Sequence, residues 1–219
     1  MAPMTHAGTD VTWDAPAQAA RMEIRVKASR FLADVAPVGR AQEAENHRKR
    51  LRAEFPHATH YCWAFRVHAE KGLISRSSDA GEPAGTAGAP ILRALRSCGL
   101  AGVSVVVVRW FGGTKLGVGP LARAYRDAAE KALKAAGAET RCLGRLLRVR
   151  FPHGRSGEVR RALARHGALI REEHHGSEAE LLVSAPLSRI PALRTSLDDA
   201  SRGTASVQEG VTISERAGR

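Results

Sequence analysis

The run Val103-Ser104-Val105-Val106-Val107-Val108 passes without a break into Arg109-Trp110-Phe111-Gly112-Gly113-Thr114-Lys115-Leu116-Gly117-Val118-Gly119-Pro120, and this stretch decides how the chain is read. Five valines in six residues favour extended backbone, because a branched Cβ packs well on a pleated surface. There is almost no polar alternation, so both faces of the strand must be covered, which places it in the middle of a sheet. The glycines then turn the chain, and Pro120 stands near a helix start, where its missing N–H removes no bond. A long helix from about Leu121 to Ala136 follows.

A second glycine-rich stretch lies upstream. Ser77-Ser78-Asp79-Ala80-Gly81-Glu82-Pro83-Ala84-Gly85-Thr86-Ala87-Gly88-Ala89-Pro90 also leads into a helix, on which Ile91, Leu92, Leu95 and Cys98 share one face until Gly99. Earlier still, Met22–Val26 and Ser29–Val35 predict a hairpin with Phe31, Ala33 and Val35 on one side. Ala41–Glu54 predicts a helix closed by Pro56, and His60–Val67 an aromatic strand returning through Leu73 and Ile74 after a turn at Lys71-Gly72. Residues 1–20 read as a polar, disordered tail. From Gly144 the order becomes strand, helix, two strands, helix, strand, over Leu146–Phe151, Gly154–His166, Ala168–His174, Ala179–Ser184, Ser188–Ala200 and Ala205–Glu209. That βαββαβ order is ferredoxin-like. The expected architecture is α+β, with an N-terminal domain over residues 21–140 and a ferredoxin-like domain over 145–210.

A chain of 219 residues has room for two cores, and 43% hydrophobic with 26% charged residues is ordinary globular composition. The longest apolar stretch, Val103–Val108, is far too short to span a bilayer, and no basic segment leads into an apolar core near the start. The expected address is the cytoplasm, away from membranes. Cys62, Cys98 and Cys142 lie far apart in no CxxC spacing, which predicts three reduced thiols, with neither a disulfide framework nor a structural metal. No cofactor is expected either. A formal net charge of +12 and an isoelectric point near 10.7 favour a polyanionic partner. Residues 101–150 hold ten Arg or Lys against three Asp or Glu, whereas residues 151–219 hold ten against nine, so the basic surface belongs mainly to the first domain.

Glycine-rich backbone ahead of a helix presents unpaired N–H groups and a positive dipole end. Gly85, Thr86 and Gly88 in one loop, and Gly112, Gly113 and Gly117 in the other, are therefore candidate phosphate cradles. Arg109, Lys115, Arg123 and Arg126 cluster around the second loop and suit nucleic-acid phosphates. The plainer alternative is that glycine only allows a tight strand-to-helix connection. Trp110 and Phe111 can stack on unpaired bases, with Trp110 the more exposed and Phe111 equally able to anchor the turn in the core. Neither loop matches GxxxxGK[ST], which argues against an ATPase of that class. Asp79 and Glu82 are candidate acid/base or metal ligands, but acids beside backbone donors also lock turns and pair with cations such as Arg109 or Lys115, the reading preferred here. His60 and Cys62 share a strand face, yet no orienting third residue can be assigned and the aromatic strand suits a packed sheet. His174 and His175 point to opposite faces, which argues against a shared metal.

Four blocks taken together, Ala58–Phe65, Ser78–Gly88, Val108–Gly117 and Leu121–Tyr125, resemble the IMPACT family in its bacterial, YigZ-like form. The resemblance covers about residues 22–138 in unchanged order, and the βαββαβ segment is similar to the extra C-terminal domain of bacterial members. It implies a first domain of ribosomal-protein type, like domain IV of elongation factor G, and a ferredoxin-like second. It also implies a translation regulator or nucleic-acid binder, and it transfers no catalytic residue. Against the family pattern, Ala80 replaces a second aspartate, Ala84 a serine, Pro120 a glycine and Trp110 a tyrosine; losing the paired aspartate speaks against a metal site there. The expected function is binding of RNA or the ribosome through Arg109, Trp110, Lys115, Arg123 and Arg126, with both glycine loops supplying donors and no catalysis. The alternatives are an enzyme acting on a phosphorylated or nucleotide-like small molecule between the two loops, and a module that docks a protein of the translation machinery.

Overall fold

The order of apolar residues along β6 (Val103–Trp110) governs the first half of the computed structural model, which describes residues 12–69 and 72–216. Every residue of this strand but the last is buried. Around it, β2 (Ala20–Val26), β3 (Ser29–Pro37), β4 (His60–Ala69) and β5 (Gly72–Ser78) form an antiparallel sheet in the order β2-β3-β6-β4-β5. Register places Ala33 of β3 and Cys62 of β4 on either side of Val107, so the valine run is central, as its composition requires. The chain divides into two compact units, Trp13–Thr140 and Arg141 onward. No helix among the described residues is long and apolar enough to cross a membrane.

Helices cover both faces of the first sheet. On one face α2 (Gly88–Ser97) and α3 (Val118–Ala136) bury Ile91, Leu95, Leu121 and Tyr125 against Phe31, Ala64, Val105 and Val107. The inward stripe of α3 is otherwise almost all alanine, and such small side chains let a helix lie close to a sheet. On the other face, α1 (Ala41–Glu54) contributes only Ala44, His47 and Leu51 to the interior. Its docking is partly polar. His47 Nδ1 lies 3.0 Å from Ser104 Oγ and its Nε2 2.8 Å from Asp34 Oδ1, with all three residues buried. Burial alone would raise the Asp34 carboxyl, but His47 and then Arg21, whose Nε donates at 2.6 Å, hold it below the usual carboxylate range.

The tail expectation is corrected over residues 12–20. Thr12–Ala15 forms a short strand, β1, in which Trp13 and Ala15 are buried, and Asp14 O accepts a 2.9 Å bond from Ala101 N. One aromatic ring in a polar segment is enough to anchor it, and Trp13 packs on the His68 ring at 4.3 Å. Residues 1–11 lie outside the described residues.

The second unit consists of β7 (Glu139–Phe151), α4 (Ser156–Arg165), β8 (Leu169–His175), β9 (Ala179–Pro186), α5 (Ile190–Ser201) and β10 (Ser206–Arg216). β7 begins well before the expected Leu146. The sheet runs β10-β7-β9-β8 with every neighbour antiparallel, the ferredoxin-like order. Leu147, Val149, Leu181 and Val183 face Val159, Leu163, Leu193 and Leu197 of the helices. On strand positions of the opposite parity, Arg148 and Arg150 both pair with Glu180, while on the helix-covered side Arg194 of α5 pairs with Glu209 of β10. Arginines here largely meet acids of their own unit, in keeping with the nearly balanced charge of this half.

Candidate functional site

The loop ahead of α2 is closed by its own acid. Asp79 Oδ1 accepts from Ala87 N at 2.9 Å and Gly88 N at 2.8 Å, and Oδ2 accepts from Gly85 N at 2.9 Å. Burial would raise this carboxyl, but the three backbone donors outweigh it and hold the group below the usual carboxylate range. Thr86 is buried, with its N–H and hydroxyl both donating to Pro83 O. Gly88 has a steric role, since a Cβ there would stand 2.6 Å from the backbone of Ser78. The expected phosphate cradle of Gly85, Thr86 and Gly88 is therefore corrected: the N–H groups that would serve it are already bonded within the loop.

Glu82 ties this loop to the rest of the domain. Its side chain is 4% exposed, and Oε1 accepts from Arg109 Nη1 and from the Tyr125 hydroxyl, each at 2.6 Å. Oε2 lies 3.8 Å from His60 Nε2. Arg109 also donates through Nη2 to Ser29 Oγ at 3.2 Å, while its buried Nε–H has no partner among the described residues. Arg109 is thus a buried ion-pair partner and cannot form part of an exposed cationic surface. Its place on the inward parity of a doubly covered strand demands such a partner. Cys62 donates to Asp79 O at 2.9 Å, and burial pushes its thiol up to about 12, so it is protonated and inert at neutral pH. Burial, followed by Cys62 and Glu82, raises the Tyr125 phenol as well. Tyr125 and Ser29 escaped sequence reasoning because they lie 43 residues from Glu82 and 80 from Arg109. The only available signal was a phenol on the buried stripe of α3.

The loop ahead of α3 is open. Gly112 packs so closely on the backbone of Ala28 that a Cβ would come within 2.1 Å of it, and its N–H points to Ser29 Oγ at 3.3 Å. Phe111 N donates to Thr59 Oγ1 at 3.0 Å. Beyond these, α3 starts after Gly117 with no side-chain cap and no acid in its first turn. Its leading N–H groups have no intrahelical acceptor. Lys115, Arg123 and Arg126 are exposed nearby, Arg126 leaning toward Asp127 and Glu130 at 3.6 and 3.5 Å. The two aromatics exchange their expected roles. Trp110 is half-buried on the α1 side, with the Arg30 guanidinium 3.7 Å above its ring and Phe55 edge-on at 5.5 Å. Phe111, just past the strand, is 44% exposed.

Both loops border one pocket of about 430 Å³. Pro83 of the first loop and Phe111, Leu116 and Val118 of the second supply its apolar wall, with Lys115, His60, Glu82 and Arg109 as polar groups. Among the described residues, no group of three or more His, Cys, Asp or Glu is arranged to hold a metal ion.

Residues 27–133 match the Impact N-terminal domain, and residues 149–204 match a domain of unknown function, DUF1949. Over 201 residues the chain is 31% identical to IMPACT family member YvyE of Bacillus subtilis, spanning 91% of this chain and 92% of that one. The chain belongs to the IMPACT family. Another IMPACT family member, YigZ of Escherichia coli, is 29% identical over 194 residues, covering 88% of this chain and 95% of its own. A crystal structure of a hypothetical protein superposes with a TM-score of 0.67 at 28% identity, covering 91% of this chain and 97% of that one. The matched Impact N-terminal segment contains Asp79, Glu82, Arg109 and Tyr125, so the tied loop and the open loop both fall within it.

Proposed function

We propose that this IMPACT-family chain is a cytoplasmic regulator of translation that binds RNA, in the ribosome or free, through the surface around the start of α3. One observation carries the reading: α3 begins uncapped and without an acid, between exposed Lys115 and Arg123. Phosphate oxygens suit that arrangement, because an open helix N-terminus supplies donors and a positive dipole end while the side chains supply charge. The contact set is Lys115, Arg123 and Arg126 with the backbone at Gly117; Arg109 and Trp110 support the turn from beneath. The test is titration of a structured RNA at several salt concentrations. Replacing Lys115 and Arg123 together by alanine is expected to flatten the slope of log affinity against log salt by about two units. An unchanged slope overturns the assignment. Cosedimentation with ribosomal subunits, before and after nuclease, then tests whether the RNA is ribosomal.

A second reading, an enzyme acting on a phosphorylated or nucleotide-like molecule, draws support from His60 and Glu82 bordering the same pocket as Lys115. The occupied Glu82 Oε1 and the protonated Cys62 weigh against it. Turnover of a nucleoside phosphate that disappears in His60→Gln would favour the enzyme, whereas binding without turnover favours the RNA reading.

A further inference from the structure

The pocket between the two loops has features that phosphate binding at the surface does not use. Phe111 exposes 44% of its area at the pocket mouth, although a phenylalanine at the end of a buried strand has an apolar core within reach. Val118, the first residue of α3, is 68% exposed beside it. Across from them, Pro83 is held in place because Asp79 and Glu82 fix the loop on either side. Arg109 lines the same pocket with its side chain 5% exposed, and two of its nitrogens are engaged by Glu82 and Ser29. A volume of about 430 Å³ lies within the range of small-molecule sites.

We propose that this pocket receives a single unpaired nucleotide. The base lies against the Phe111 ring between Pro83 and Val118, and its phosphate rests on Lys115 and the open first turn of α3. The inference rests on the RNA reading and deepens it. Surface cations hold any phosphate backbone, duplex or not, whereas a base that must enter an apolar pocket is available only where the strand is unpaired. A flat apolar wall next to an anion-binding helix start matches the two halves of a nucleotide, and stacking on a ring accepts every base. The site therefore selects single-stranded or looped RNA without selecting sequence. A free nucleoside monophosphate has the same chemistry and is the other source of such a ligand.

Full-length protein is titrated with a short labelled single-stranded RNA, with the same sequence as a duplex, and with AMP as competitor. Phe111→Ala is expected to weaken single-strand binding about tenfold or more while leaving the duplex unchanged, and Phe111→Leu, which keeps apolar volume without a ring face, to fall between. AMP is expected to displace the single strand from the wild-type protein, and AMP binding tighter than the RNA would identify the free nucleotide as the source. Phe111 is exposed and joins the fold through its backbone N–H and through the Arg109 guanidinium 5.5 Å from its ring centre, so both variants are expected to fold, which a retained cooperative melting transition verifies. Equal effects of Phe111→Ala on single strand and duplex, or none on either, overturn the nucleotide pocket while RNA binding survives. AMP binding that is lost in Phe111→Ala, with no RNA bound at all, overturns the RNA reading and keeps the pocket.

Discussion

The loop ahead of α2 and the loop ahead of α3 both bring glycine-rich backbone to a helix start, yet only the first has an acid that reaches its own donors. Asp79 takes three N–H groups and leaves that helix start self-contained. The second loop, Phe111–Gly117, holds no acid, and its helix starts without a cap. Glycine content therefore reports how closely the backbone must approach a neighbour, as Gly88 does Ser78 and Gly112 does Ala28, and not whether a ligand is bound. Whether donors remain for a ligand is decided by the acids nearby. The two loops are also mechanically linked, since Glu82 of one holds Arg109 at the root of the other.

Breaking that link is expected to have the largest effect. Glu82→Ala leaves the Arg109 guanidinium buried and uncompensated, which should lower stability by about 3–5 kcal/mol in urea unfolding. A loss under about 1 kcal/mol would mean that each loop is held independently.

Asp79→Ala tests the closed state of the first loop and is expected to lose about 2–3 kcal/mol at neutral pH, because charge-assisted bonds from backbone donors go unmade. The folded-state Asp79 carboxyl lies below its unfolded value, so its contribution is complete above the unfolded range near pH 4 and is lost as pH falls through the folded value. The stability gap between wild type and variant should therefore close in acid. A gap that stays constant down to about pH 2 would contradict the anchoring role.

The smallest effect separates conformation from function. Gly85 and Gly113 have φ of +74° and +84°, and a Cβ at either would meet open space. Alanine at each should cost about 1–2 kcal/mol through backbone strain alone. Similar stability losses are expected, but only Gly113→Ala should weaken RNA binding, and equal binding losses would remove the functional distinction between the loops.

Much of the fold was legible because its elements follow simple periods. Alternation along Ser29–Val35 gave the face that meets α3, and the valine run gave the central strand. The resemblance to IMPACT proteins was carried by local blocks and survived comparison. Less of the site was legible, for reasons that differ by residue. The same alternation, continued past Val108, assigns Arg109 to the helix-covered side and Trp110 to the α1 side; reading those residues as loop concealed it. A lock between a first-loop acid and Arg109 could be anticipated, but Tyr125 as the second donor to Glu82 depends on how α3 lies on the sheet. Trp13 was overlooked because the alternation of Val11, Trp13 and Ala15 with polar Thr12 and Asp14 is too short to declare a strand.

Ser104, the one polar residue in the valine run, has its explanation in His47 and Asp34. Serine, imidazole and carboxylate are the ingredients of a hydrolase, but here they are sealed beneath a helix and act as a dowel. A helix that buries little more than one alanine and one leucine could slide along a sheet of valines with small penalty. With an imidazole fitted between a serine on β6 and an aspartate on β3, any slip strands buried polar atoms, so α1 has one seat and the sheet beneath it one shape.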